Sequence, residues 1–139
     1  MAEITAQQKD FINERARRCC EYCLSQLKFS PDPFSIEHII PLSKSGTYDL
    51  DNLALACQGC NNRKYNLMQA IDPIDGRLAP LYHPRQQLRV EHFVWSDDFT
   101  ELIGISPTGR ATIVRLQLNR EGVVNLRRLL RASNLHPPD

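Results

Sequence analysis

Four of the five cysteines fall into two Cys-x-x-Cys pairs, Cys20/Cys23 and Cys57/Cys60. Each pair is the tight turn that lets two thiolates reach one tetrahedral ion. Two pairs complete a four-sulfur site with no open coordination position, which is the pattern of structural zinc. A closed site of that kind holds a fold and performs no chemistry. Chemistry must therefore come from the polar residues enclosed by the pairs, Glu37-His38-Ile39-Ile40-Pro41 and then Asp51-Asn52-Leu53. His38 stands first among them, because a neutral imidazole can take a proton at a pH near 7.

The 139 residues suit one compact domain, small enough that a metal staple would supply much of its stability. A formal charge of +1 excludes a strongly basic protein, so any nucleic-acid contact must come from local clusters. Three are present: Arg15/Arg17/Arg18, Arg63/Lys64 and Arg127/Arg128/Arg131. The first and last read as solvated helix faces, whereas Arg63/Lys64 adjoins Cys60. No apolar leader follows Met1 and no long apolar window occurs, so a cytoplasmic chain with no membrane segment is expected. In a reducing compartment the paired cysteines favour metal over a disulfide or redox role, and Cys19 reads as a bystander beside Cys20.

The elements that must position these residues are short. Thr5 to Arg18 lacks Gly and Pro and places Phe11, Ile12 and Arg15/Ala16 on one stripe, which predicts an opening helix. Ser30-Pro31-Asp32-Pro33 breaks regular structure. Phe34 to Ile40 alternates as a strand stopped by Pro41, and Leu53 to Ala56 returns as its partner across a long loop. Asn61 to about Gln69 permits a helix, giving a strand, strand, helix unit. Residues 74–89, with several prolines and a glycine, read as a connection that wraps this unit without building sheet. His92 to Trp95 and Leu102 to Ile105 predict a small second hairpin. Beyond it, Thr108 and Asn119 would cap two helices, the second with Val123, Leu126, Leu129 and Leu130 on one face. The Pro137-Pro138 end, with His136, is expected to fray.

The run from Cys20-x-x-Cys23 through Glu37-His38-Ile39-Ile40-Pro41-Leu42-Ser43-Lys44-Ser45-Gly46-Thr47 and Asp51-Asn52-Leu53 to Cys57-x-x-Cys60-Asn61-x-Arg63-Lys64 resembles the HNH endonucleases of the ββα-metal type. The likeness implies an α+β fold, a ββα-metal core over about 19–69 stapled by a four-cysteine zinc site. Flanking helices and a C-terminal extension over about 82–135, a small hairpin plus helices, would complete it. It further implies a metal-dependent endonuclease that cuts DNA, expected to be double-stranded, leaving a 5′-phosphate and a 3′-hydroxyl. His38 would be the general base, Glu37 and Asn61 the ligands of one Mg²⁺ or Mn²⁺, and Asn52 the brace of the hairpin loop. Arg63 and Lys64 would grip phosphate from a helix start. In a regular strand Glu37 and His38 face opposite sides, so sharing one site requires a local bend. Position 61 holds asparagine where a second histidine is usual, and position 37 holds glutamate. Both can still bind a hard ion.

The rival reading is a zinc-stapled module that binds nucleic acid without cutting it. His83, His92 and Trp95 read as packing residues and stay outside the site. Sequence selectivity would require a protein partner. Oligomeric state, biological setting and the choice of nucleic acid are open.

Overall fold

A computed structural model describes residues 3–138. The chain comprises two compact units, Met1–Asn66 and Leu67–Asp139. Each gathers its own buried side chains around short antiparallel hairpins.

The first unit opens with helix α1, Ala6–Arg15. Thr5 starts it with a capping box: its hydroxyl accepts from Gln8 N at 3.1 Å, and Gln8 Oε1 accepts from Thr5 N at 2.9 Å. The helix ends three residues earlier than its composition suggested, because Arg17 and Arg18 turn to positive φ and lead the chain into the first cysteine knuckle. Ile12 is fully buried with Leu53 and Leu55, and Ile4, Ala16, Phe34, Ile36 and Leu50 close around them. Burying a side chain of this size stabilises the fold by about 1.5–3 kcal/mol. Arg15 adds two polar ties, donating to Leu50 O at 3.0 Å and Leu53 O at 2.7 Å.

Strands β1, Ser35–His38, and β2, Leu53–Ala56, pair antiparallel with Glu37 opposite Ala54 and His38 opposite Leu53. All of β2 is buried, and its outer edge is taken by Glu21, whose N–H donates to Leu55 O while its carboxylate accepts from Leu55 N. Helix α2, Gln58–Lys64, follows directly. It starts earlier and ends sooner than expected. Cys57 is its N-cap and Tyr65 leaves helical geometry, so residues 65–69 do not continue it.

In the second unit Gln69–Ile71 and Leu78–Pro80 form a hairpin, β3 and β4, where the sequence suggested only a wrapping connection. Pro73 and Gly76 lie in its turn, not its strands, and three-residue strands are too short to reveal alternation. Gly76 takes a φ of +71° there. The expected hairpin is present as β5, Phe93–Trp95, and β6, Leu102–Gly104. Helix α3, Pro107–Leu116, packs on β3, β4 and β6, and α4 is Glu121–Ala132.

The caps differ from expectation. Ser106, not Thr108, caps α3, with Pro107 at its first position. Asn119 does not cap α4; its amide instead bonds both Leu102 N and Leu102 O. Gly109 lets α3 cross the hairpin closely, since a Cβ there would stand 2.0 Å from His92 O. Arg110 forks onto buried Asp72 at 2.8 and 2.9 Å, which holds the Asp72 carboxyl below its ordinary value. On α4 the buried stripe centres on Val123 and Arg127, while Leu129 is exposed. Arg127 is no solvated cation: it donates to Thr100 O, Leu118 O and Asn119 Oδ1. His136 does not fray either, being buried with Nε2 donating to Phe99 O at 2.8 Å and its ring edge-on to Trp95. Among the described residues no helix is long and apolar enough to cross a membrane.

Candidate functional site

The two knuckles bring the Sγ atoms of Cys20, Cys23, Cys57 and Cys60 within 4.8 Å of one another, all buried. The chain turns tightly at each pair. Leu24 N donates to Cys20 O and Leu24 takes a φ of +63°, while Cys60 N points at Cys57 Sγ, 3.4 Å away. Sulfurs around one zinc stand about 3.8 Å apart, from Zn–S bonds of ~2.3 Å. Cys23 and Cys57 lie at 3.7 Å, so the frame suits that ion. No disulfide links them. Burial, then hydrogen bonding with the other three thiols, pushes the Cys20 thiol well above its ordinary value. Four thiolates therefore require a cation among them. Cys19 is buried apart from this set, its Sγ against Arg17 O.

Strand β1 ends on the pair of interest. Glu37 is 5% exposed. Tyr22 OH donates to Glu37 Oε1, and Lys64 Nζ lies 3.6 Å from Glu37 Oε2. Lys64 also donates to Ile39 O at 2.8 Å. Burial raises the Glu37 carboxyl despite these partners, and burial lowers the Lys64 ammonium against the pull of Glu37. Desolvation thus outweighs pairing on both sides.

The pairing of β1 with β2 runs regularly through His38, so the strand contains no bulge. The bend falls after it, where the chain turns at Ile39 and Ile40 before Pro41. Glu37 and His38 nonetheless line one open cavity of about 310 Å³, together with Ile36, Pro41, Leu42, Asn61 and Tyr65. His38 meets the ring of Tyr48 edge-on at 4.6 Å. Its Nε2 is buried without a hydrogen-bond partner, and burial lowers the imidazole below its ordinary value. The side chain is thus held neutral near pH 7 with a nitrogen to spare.

Asn52 closes the loop that follows. Its Oδ1 accepts from Ile40 N at 2.8 Å, and Nδ2 donates to Ile40 O at 3.0 Å and Thr47 O at 2.8 Å. Gly46 fits beneath because it has no side chain; a Cβ there would overlap Ile40 O at 1.7 Å. Asn61, on α2, lines the same cavity.

Arg63 and Lys64 lie in the last turn of α2, not at its start as their proximity to Cys60 suggested. The helix N-terminus addresses the thiols instead. Arg63 is half-buried, donating to Gly59 O at 3.2 Å. Lys64, 1% exposed, does not face solvent as a phosphate-gripping cation would. Sequence reasoning missed Tyr22, Tyr48 and Tyr65. An aromatic between paired cysteines carries no signal that it will meet a carboxylate fifteen residues on.

Donor chemistry supports a hard ion here. A buried carboxylate whose Oε2 stands beyond hydrogen-bond range of Lys64 keeps lone pairs for one, and the Asn61 amide oxygen could join it. Residues 20–67 match the model of the HNH endonuclease family, and the match ends where the second unit begins. No curated protein and no solved structure matches the chain. The segment that holds the four thiols, Glu37, His38, Asn52 and Asn61 is therefore the part of the chain that matches the HNH endonuclease family.

Proposed function

We propose that the chain is a metal-dependent endonuclease that hydrolyses DNA phosphodiester bonds, with His38 as general base. The observation that supports this best is the shared cavity: a half-buried imidazole, held neutral near pH 7, lines the same space as a carboxylate and an amide. Phosphodiester hydrolysis needs water relieved of a proton, positive charge near the non-bridging oxygens, and help for the departing oxygen. The His38 imidazole takes the proton as water attacks phosphorus, and the P–O3′ bond breaks with O3′ taking a proton from solvent, to leave a 5′-phosphate and a 3′-hydroxyl. Glu37 and Asn61 would hold one Mg²⁺ or Mn²⁺, which supplies the positive charge when bound.

Asn52 fixes the loop and so the direction of His38. Arg63 is the cation of α2 that we assign to a neighbouring phosphate. Zinc on the four cysteines holds the frame. The substrate we assign is double-stranded DNA held mainly through its backbone, with sequence choice left to a protein partner.

One observation favours a second reading, a module that binds nucleic acid without cutting it. Lys64 already offsets the charge of Glu37, so the fold is complete with no second ion. Incubating the protein with supercoiled plasmid in EDTA, Mg²⁺ or Mn²⁺ separates the two. The nuclease reading expects nicked circles only with divalent ion, and 5′-phosphates that ligase can reseal. Binding without nicking under every ion would sustain the second reading instead.

A further inference from the structure

We propose that Tyr65 is a base-stacking residue of this site, taking a base that local fraying of the duplex unstacks beside the scissile phosphate. The inference rests on the nuclease reading above and deepens it. Tyr65 lines the cavity shared by His38, Glu37 and Asn61, and its side chain is 74% exposed. Most of the residue stays in water, which leaves the ring accessible to a partner.

The backbone beneath the ring makes the case stronger. Tyr65 sits at φ 53°, ψ −123°, a combination ordinarily reserved for glycine. Two other positive-φ residues differ in kind. Ser45 (φ 69°, ψ 23°) and Gln117 (φ 50°, ψ 55°) lie in the left-handed helical region, where a side chain costs less. Glycine would end α2 at position 65 without strain, yet a bulky ring stands there. Strain kept at a candidate site, where a smaller residue would relieve it, points to use of the side chain.

The chemistry of the ring names the ligand. The neighbouring polar groups, His38 and Asn61, suit phosphate and water. The exposed face of a phenol suits a flat π surface, and in a nucleic acid only a base has one. A base within a stacked duplex has no free face, so the partner must be unstacked.

The test compares wild type with Tyr65→Phe, Tyr65→Leu and Tyr65→Gly. Binding of a labelled single-stranded oligonucleotide is followed by anisotropy in EDTA, cleavage is followed in Mg²⁺, and thermal melting is recorded for each. Phe should match wild type. Leu and Gly should both weaken single-strand binding by about ten-fold, the scale of one stacked base. Gly alone should melt higher, because it relieves the backbone. Equal single-strand binding by wild type, Leu and Gly would overturn the inference, as would a Phe variant impaired as much as Gly. A Gly variant that melts lower leaves Leu, which keeps the backbone strain and removes only the ring, to decide. A wild type that binds DNA but never cuts it would fail the nuclease reading, whereas one that cuts with no dependence on the ring would fail this inference alone.

Discussion

Lys64 grips the residues on both sides of His38: its ammonium lies 3.6 Å from the carboxylate of Glu37 and donates to the carbonyl of Ile39 at 2.8 Å. One buried cation on α2 thus fixes the end of β1, and with it the direction of the imidazole between its two contacts.

Removing that cation should be expensive. Lys64→Met leaves Glu37 buried with no positive neighbour, and the loss expected for breaking such a pair is about 3–5 kcal/mol. Denaturant titration measures it. The double variant Lys64→Met/Glu37→Gln should recover much of the loss, because no net charge is then stranded. If Lys64→Met unfolds at the wild-type midpoint, the pair contributes nothing.

Zinc should be a condition of folding for the first unit. Structural zinc sites contribute about 10–16 kcal/mol at pH 7, more than most domains have to spare. Elemental analysis should find one zinc per chain, and Cys60→Ser or strong chelation should expose the amides of residues 6–15 and 35–64 to hydrogen exchange. Full protection of those amides in metal-free protein would contradict the staple.

Asn52 holds three hydrogen bonds across the loop. Asn52→Ala leaves the half-buried N–H and C=O of Ile40 without their partner, at a cost of about 1–3 kcal/mol. It should also lower kcat with KM little changed, since Asn52 acts by holding the loop beside His38. Asn52→Asp should fare no better: a carboxylate can accept from Ile40 N but cannot donate to the carbonyls of Ile40 and Thr47. Wild-type kcat in either variant would show that the loop needs no brace.

The pH dependence follows from the burial of His38, which lowers its pKa below the ordinary 6.5. The base form is neutral, so a lowered pKa extends it to more acidic solution. kcat/KM should be level at pH 7 and should fall only below 6.5 on the acid side. An acid limb centred above 7 would contradict the assignment.

What the sequence made legible was the chemistry with a spacing rule. Cys20, Cys23, Cys57 and Cys60 converge as two tight turns must, and the strand that carries His38 stops before Pro41. What it hid depended on contacts between distant residues. Lys64 beside Cys60 looked like a phosphate contact, because nothing in a linear pattern says that a lysine on a seven-residue helix will be drawn under β1 by a buried glutamate. The β3–β4 hairpin was masked by turn residues that outweigh its three-residue strands. Arg127 and His136 looked like surface and tail for the same reason: their acceptors, Thr100 O and Phe99 O, lie in another segment of the chain.

The central claim is that His38 takes the proton from the attacking water, and a plasmid-nicking comparison of wild type with His38→Ala in Mg²⁺ tests it most directly. The rate should fall by about 10²–10⁴-fold, the usual worth of a general base, while plasmid binding in EDTA is retained. A His38→Ala protein that nicks as fast as wild type would contradict the account.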